Sequence, residues 1–422
     1  MPTAQPKARA RYAAKREAIM AAATEVFNDR GVSGFTLAAV AKMMDLHPVS
    51  LTYYFKRKED LAAAVLHDTI RRWDAMLDDA FQETEPAARL RRFVAAHFEV
   101  RRRIQLGQQP PLAPFSEIHL IEGDQHQPLM EAFRELYVRI GHFAKTETMP
   151  WMTRPRRTAL ARLIVDQLGW ADAWLTLYEP DDYARVADKI ADTMLNGLAG
   201  KGQAWPDLPL LTLGSPVAQN DEVTRERFLI AATNMINKEG YRGASVDKIS
   251  AQLNVTKGSF YHHNTDKDEL AAACFQRTFD LIDEAKGRAT EQPDGWRRIW
   301  LAVCSLILHQ ASGEAGRMLR HHAMAAVPTP MRRKLRLRFQ QISHAFAGQI
   351  SDGIVDGSIR PLDALLASQM LMVAFNSANS MDPTRHPGST LRVMEDYARP
   401  VLMGVFSESL VGVAILPYPG AE

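Results

Sequence analysis

Residues 16–65 and 225–274 align at a constant shift of 209 positions without a gap, and fourteen of the fifty pairs are identical. A register that long and unbroken marks one folding unit present twice, so the chain has to build two similar bodies. Among the pairs are Gly31/Gly240, Gly34/Gly243, Ser50/Ser259, Lys58/Lys267 and Leu61/Leu270. The most legible part is Thr36 to Phe55, TLAAVAKMMDLHPVSLTYYF, matched by Ser245 to Asn264, SVDKISAQLNVTKGSFYHHN. Thr36 can cap a helix through its hydroxyl, and Leu37, Val40, Ala41 and Met44 follow at helical spacing. Asp45, Leu46 and His47 make a turn, and Pro48 suits the first position of a second helix, where no backbone donor is needed. This is a helix-turn-helix pattern, which lays its second helix in a DNA major groove.

A chain of 422 residues exceeds one small core, and two or three domains are expected. Its 46% hydrophobic and 24% charged content is that of a soluble globular protein. Cys274 and Cys304 are too few for a disulfide framework and fit buried thiols in a reducing cytoplasm. The opening MPTAQPKARARYAAK lacks the apolar core of a signal peptide. No apolar run reaches membrane-spanning length, so no membrane partner is expected. The net charge of +2 is unremarkable. Residues 1–58, however, hold ten Lys and Arg against four Asp and Glu, while 222–267 hold seven against five. Phosphate neutralisation supplies much of DNA affinity, which makes the first head the stronger electrostatic candidate.

The periodicity divides the chain as follows: a basic arm at 1–15, a first head at 16–60, a helical domain at 61–199, a Gly- and Pro-rich linker at 200–221, a second head at 222–269 and a second helical domain at 270–422. The arm reads as a solvated tail able to follow a phosphate backbone. Helix 1 is expected from Lys15 to about Asp29, burying Ala18, Ala22, Val26 and Phe27 and stopping at Gly31. Later helices are expected at 58–82, from 86 onward, and at 129–143, 156–178 and 181–198. In the second half they fall at 222–238, 246–253, 257–263, 267–290, 296–311, 314–326, 330–351, 362–378 and 389–412. No series of strands is visible, and both halves read as all-α.

The two heads resemble the TetR family of bacterial transcriptional regulators. The resemblance rests on Gly31, Gly34, Thr36, Val40, Ala41, Ser50, Leu51, Phe55, Lys58, Glu59 and Leu61. In the second half it rests on Gly240, Gly243, Ser245, Ile249, Ala251, the run from Thr256 to Tyr261, and Lys267 to Leu270. It covers about fifty residues in each half. It implies phosphate contacts from Thr36, Ser245, Lys58 and Lys267. The implied base contacts come from Pro48, Val49, Thr52 and Tyr53 in the first head and Lys257, Gly258, Tyr261 and His262 in the second. Ser50, Tyr54, Thr256 and Ser259 complete the candidate surface. It further implies a small-molecule effector bound in the C-terminal domains and pairing through the last two helices. In one chain those are 156–198 and 362–412, which would give an intrachain pseudo-dimer on double-stranded DNA, with a further homodimer possible and an asymmetric operator. Two positions depart from the family. Thr52 stands where a phosphate-binding tyrosine is usual, leaving Tyr53 or Tyr54 to replace it. Asn264 stands where an aromatic, present as Phe55, packs the recognition helix. A sensor or scaffold whose heads no longer bind DNA is the alternative.

Other residue types give weaker signals. The adjacent pairs His262-His263 and His321-His322 point about 100° apart on a helix and make no chelate; neither metal nor cofactor is expected. Trp73, Met76, Trp170, Trp174, Met318 and Met324 suit a core or a pocket. Arg101 to Arg103 and Arg332 to Lys334 read as solvated faces. No hydrolase, metalloprotease, P-loop or dinucleotide motif is present, and catalysis is not expected.

Overall fold

The computed structural model describes residues 4–214, 225–256, 266–313, 316–378 and 392–407. These residues form helices and turns; their only β-type pairing is an isolated antiparallel bridge between Ala199 and Ile359. The first unit comprises α1 (Ala4–Gly34), α2 (Leu37–Met43), α3 (Pro48–Thr52), α4 (Lys58–Ala80), α5 (Pro86–Gln105), α6 (His126–Gly141), α7 (Arg154–Gly169) and α8 (Tyr183–Asn196). The second comprises α9 (Arg225–Gly243), α10 (Val246–Leu253), α11 (Lys267–Ala289), α12 (Gly295–Ser312), α13 (Thr329–Val355), α14 (Ala364–Ser377) and α15 (Arg399–Met403), the last preceded by a π turn at Met394–Ala398.

The 209-residue register persists in the backbone. Gly31 and Gly240 both break their helices at positive φ, 63° and 74°. Asp45 and Asn254, also 209 apart, both take the left-handed conformation in the turn, at φ 52° and 56°. Short polar side chains tolerate that region best. Thr36 and Ser245 cap α2 and α10 by accepting from the third amide along, Ala39 and Lys248. Helices α4 and α11 begin and end at equivalent residues.

Several sequence expectations need correction. The arm from residue 4 is helical and continuous with helix 1. It contains Ala, Lys and Arg, all good helix formers, and nothing that breaks the helix after Pro6. The buried stripe of α1 is Ile19, Ala23, Val26 and Phe27, with Ala18 exposed and Ala22 only half-buried. The helix read at 156–178 ends at Gly169 and continues as two short 3₁₀ turns. The helix read at 314–326 is a 3₁₀ turn at His321–Ala326 preceded by extended chain. Side chains satisfy that chain's amides where a helix would otherwise do so: Gln310 Oε1 accepts from Met318, Thr278 Oγ1 from Leu319 and Asn237 Oδ1 from Arg320. The last helix is short, ended by Gly404 at φ 101°. The expected helix at 257–263 lies outside the described residues.

Residues 200–214 do not form a loose linker. The Leu211 amide donates to Ser305 Oγ, the Gly214 amide to Glu284, and Trp296 Nε1 to the Ala204 carbonyl. Trp205 sits under the Arg399 guanidinium at 4.5 Å. The segment is a strap over the second unit.

The units meet along a seam in which α7 and α8 pack on α14, α8 on α15, and α7 on the π turn. Backbone bonds cross it in both directions: the Leu198 amide donates to Leu402 O at 2.8 Å, the Val405 amide to Met194 O at 2.9 Å and the Arg360 amide to Leu198 O at 3.0 Å. At the 209-residue shift α7 corresponds to α14, and α8 to the π turn with α15, so the elements that meet across the seam are each other's equivalents, as at a two-fold interface. Gln167 donates to Met370 O, Lys189 pairs with Asp363 at 2.7 Å, and Arg360 reaches Gly197 O and Asp192.

Candidate nucleic-acid interface

In the first head, Val40, Ala41, Leu51 and Phe55 bury against Ile19, Ala23 and Phe27 and fix α3 on α1 and α2. Phe55 is buried with the Arg16 guanidinium 5.2 Å above its ring. This leaves Pro48, Val49, Ser50, Thr52 and Tyr53 facing outward. Val49 is 68% exposed and Tyr53 76%, large apolar surfaces left mostly open. Thr52 turns its hydroxyl back to donate to Val49 O at 2.7 Å, which occupies its proton and leaves a lone pair. Lys58 opens α4 in solvent, its nearest carboxylate being Glu59 at 3.9 Å.

Tyr53 and Tyr54 are not equivalent. Tyr54 is half-buried and stacks on Tyr12 with ring centroids 4.8 Å apart, while Tyr12 meets Tyr53 edge-on at 5.9 Å. Tyr12 comes from the part of α1 that reads as a tail in sequence, and it is the residue that sequence reasoning missed. The one available signal is a lone aromatic among the basic residues of the arm. Its stacking docks the first turns of α1, with exposed Arg9 and Arg11, beside α3. Of the two tyrosines, Tyr53 has the larger open surface.

In the second head, Ser245 caps α10 and Thr256 lies exposed after the turn. Lys257, Gly258, Ser259, Tyr261, His262 and Asn264 lie outside the described residues. Lys267 differs from its partner Lys58: its ammonium sits 4.6 Å over the ring of Tyr241, where the first head has Val32. The Tyr241 hydroxyl donates to Asp268. Lys248 is paired with Glu239 at 2.5 Å. Among the described residues, Lys248 and Lys267 of the second head are thus both engaged, whereas Lys58 of the first stands in solvent.

The heads also meet each other. Helix α1 touches α9, and the carboxylate of Glu117, in the short turn Phe115–Leu120, lies between the two glycine turns. Glu117 accepts from the Val32 amide at 2.6 Å.

Other candidates resolve into the core. Cys274 and Cys304 are buried, and burial pushes the Cys274 thiol up to about 11 and Cys304 well above its ordinary value. Trp73, Met76, Trp174, Met318 and Met324 are buried core residues. Arg101 is not solvated; it lies in the core against His97 and Asp172. No group of three or more potential metal ligands occurs among the described residues. Nor does any helix there have the length and apolarity to cross a membrane.

The profile for "Bacterial regulatory proteins, tetR family" matches residues 19–65 and again 228–274. Among characterised relatives, the transposon Tn10 TetC protein of Escherichia coli is 33% identical over 78 residues, which is 18% of this chain and 40% of that protein. The HTH-type transcriptional regulator RutR of Escherichia coli K12 is 33% identical over 89 residues, 21% of this chain and 42% of RutR. The chain thus spans less than half the length of the relatives it matches. Similar solved structures include apo AibR, at 18% identity and a TM-score of 0.37, covering 43% of this chain and 99% of AibR. FadR from Bacillus subtilis in complex with stearoyl-CoA is another, at 17% identity and a TM-score of 0.33, covering 42% of this chain and 98% of FadR. The head profile is thus matched twice in the register of the internal repeat, so each helical unit opens with a head of the tetR family.

Proposed function

We propose that the protein is a DNA-binding transcriptional regulator, a ligand-responsive repressor, which uses its two heads as an intramolecular pseudo-dimer on an asymmetric operator. The observation that carries this reading is the seam itself, in which α7 and α8 pack on α14, the π turn and α15, the elements that stand 209 residues after them. Such an interface is what two identical chains would form, and here it lies within one. The exposed face of α3, with Lys58 beside it, supports reading by the first head. The sequences HPVSLTYY and TKGSFYHH differ at nearly every outward position, so the two half-sites differ. They lie about one DNA turn, roughly 34–36 Å, apart. An effector acts by favouring a state whose head spacing no longer fits the operator, which requires different affinities for the two states. The α1–α9 contact at Glu117 is where such a change would pass between the heads.

Selection of bound DNA from a random library, run beside sedimentation of the complex, tests the reading. One asymmetric site bound by one chain is expected, with Tyr53 substitutions altering one half-site and His262 substitutions the other. A palindrome bound by two chains would leave the reading to the first head alone, a result the engaged Lys267 would help explain. No enrichment and no salt-dependent binding would favour the sensor or scaffold.

A further inference from the structure

The 3₁₀ turn Phe115–Leu120 belongs to the first unit, yet it reaches both heads. Glu117 is half-buried, and its Oε2 accepts from the Val32 amide at 2.6 Å, where the chain leaves the Gly31 turn. A carboxylate on a backbone amide is among the stronger hydrogen bonds. Gly31 leaves the room for it, since a Cβ there would stand 2.6 Å from the same oxygen. The other oxygen, Oε1, lies 3.8 Å from where a Cβ on Gly240 would stand, at the equivalent turn of the second head. Two residues on, the His119 ring bonds the backbone of Lys238, near the end of α9.

Further ties close a ring. Asn28 of α1 donates to Leu112 O, just ahead of the turn, at 3.0 Å. Asn237, 209 residues later, donates to Met318 O at 3.0 Å and accepts from the Arg320 amide at 2.9 Å, just ahead of the turn His321–Ala326. That second turn packs on α1 as well as on α9, and α1 meets α9 directly. Each head is thus held by its own unit's turn and touched by the other unit's. In such a ring neither head can swing without breaking contacts of the other. The carboxylate is supplied once: at the 209-residue shift Ala326 and Pro328 stand at the places of Glu117 and His119.

We propose that the turn Phe115–Leu120 is a wedge joining the two heads into one body, and that Glu117 and His119 are positioning residues that set which half-site spacing the protein accepts. The wedge stands on the contacts alone; the spacing rests on the regulator reading. Heads fixed in advance lose less freedom on binding DNA. Moving one half-site by one base pair displaces it about 3.4 Å along the duplex, and a rigid pair of heads cannot follow both. Selectivity then comes from spacing as well as from bases, through residues that touch no DNA.

The test measures the distance between the heads in the full chain, without DNA, by double electron–electron resonance. Nitroxides go on Met43→Cys and Gln252→Cys, exposed positions 209 residues apart; Cys274 and Cys304 are buried and do not take the label. A single narrow distribution is expected for the parent and a broadened or split one for E117A/H119A. E117Q/H119Q keeps an acceptor for Val32 and a donor for the Lys238 backbone, and is expected to stay narrow. If the alanine pair loses its helical circular dichroism, H119A alone, at an exposed position, cuts only the tie to the second head and is expected to broaden the distribution too. On the selected operator with one base pair inserted between half-sites, the unlabelled parent is expected to bind at least about tenfold more weakly, comparable to one mismatched base pair. E117A/H119A is expected to lose no more than about threefold. A broad parent distribution, alanine variants as narrow as the parent, a glutamine pair as broad as the alanine pair, or equal spacing losses for parent and variant would each overturn the proposal. Failure of the distances with operator selection intact removes the wedge alone. Failure of selection with the distances as expected removes the regulator reading and leaves the wedge.

Discussion

Gly404→Ala tests whether the seam holds the two units together. Gly404 lies at φ 101°, ψ 141°, a region essentially confined to glycine, and an added Cβ would collide with the Leu195 carbonyl oxygen. That oxygen is backbone and cannot swing aside. Strain at such a position costs about 1–3 kcal/mol. Moving the chain away to relieve it breaks the adjacent bond from the Val405 amide to Met194 O and loosens its counterpart at Leu198, each contributing about 0.5–1.5 kcal/mol. The smaller entropy of an unfolded alanine returns about 0.4–1 kcal/mol. The net loss is about 2–4 kcal/mol, local to the seam. Hydrogen exchange at the Leu198 and Val405 amides reads it directly, and protection is expected to fall about 30- to 1000-fold at 1.4 kcal/mol per tenfold. Gly287→Ala is the control: Gly287 is exposed within α11 with open space around its Cα, and this change is expected to stabilise by up to about 1 kcal/mol. A folded Gly404→Ala protein with seam protection within threefold of the parent, by the ~0.6 kcal/mol to which that corresponds, would refute the idea that this contact closes the interface.

Three further outcomes follow from the heads and core. Tyr53→Ala is expected to weaken operator binding about tenfold, roughly the 1–3 kcal/mol of a good contact, with a smaller fall in melting temperature than Tyr54→Ala, because Tyr53 is 76% exposed and meets Tyr12 only edge-on while Tyr54 is half-buried and stacks on it; fluorescence anisotropy beside thermal melts separates the two. Lys58→Ala is expected to reduce the slope of log K against log salt by about 0.9, and Lys267→Ala to reduce it by less, since its ammonium is engaged over Tyr241; equal slope changes would contradict the asymmetry of the heads. His309 is buried beside the Gly316 carbonyl, and burial first, then the Arg277 charge, lowers its pKa from 6.5 to about 4. The unfolded state then binds more protons between those values, so stability falls as pH drops through that window, by up to about 3 kcal/mol. Melts from pH 7 to pH 4 are expected to show the fall, and His309→Gln to flatten it.

The sequence by itself determined the duplication and the local chemistry of the heads. Gly31 and Gly240, Asp45 and Asn254, and the caps Thr36 and Ser245 act through the backbone next to them, so their roles are legible wherever the residues stand. The helices from 58 and 267 are likewise fixed by an unbroken apolar period. What only the tertiary structure decided depends on partners far along the chain. The arm is helical, and Tyr12 finds Tyr54 forty-two residues away. The strap at 200–214 has no period of its own but satisfies its amides on Ser305 and Glu284. The helix expected at 314–326 yields because Gln310, Thr278 and Asn237 offer its amides better partners across the core. Arg101 reads in sequence as part of a solvated face, yet it lies in the core against His97 and Asp172, because burial is set by what packs from outside the helix and not by the helix itself.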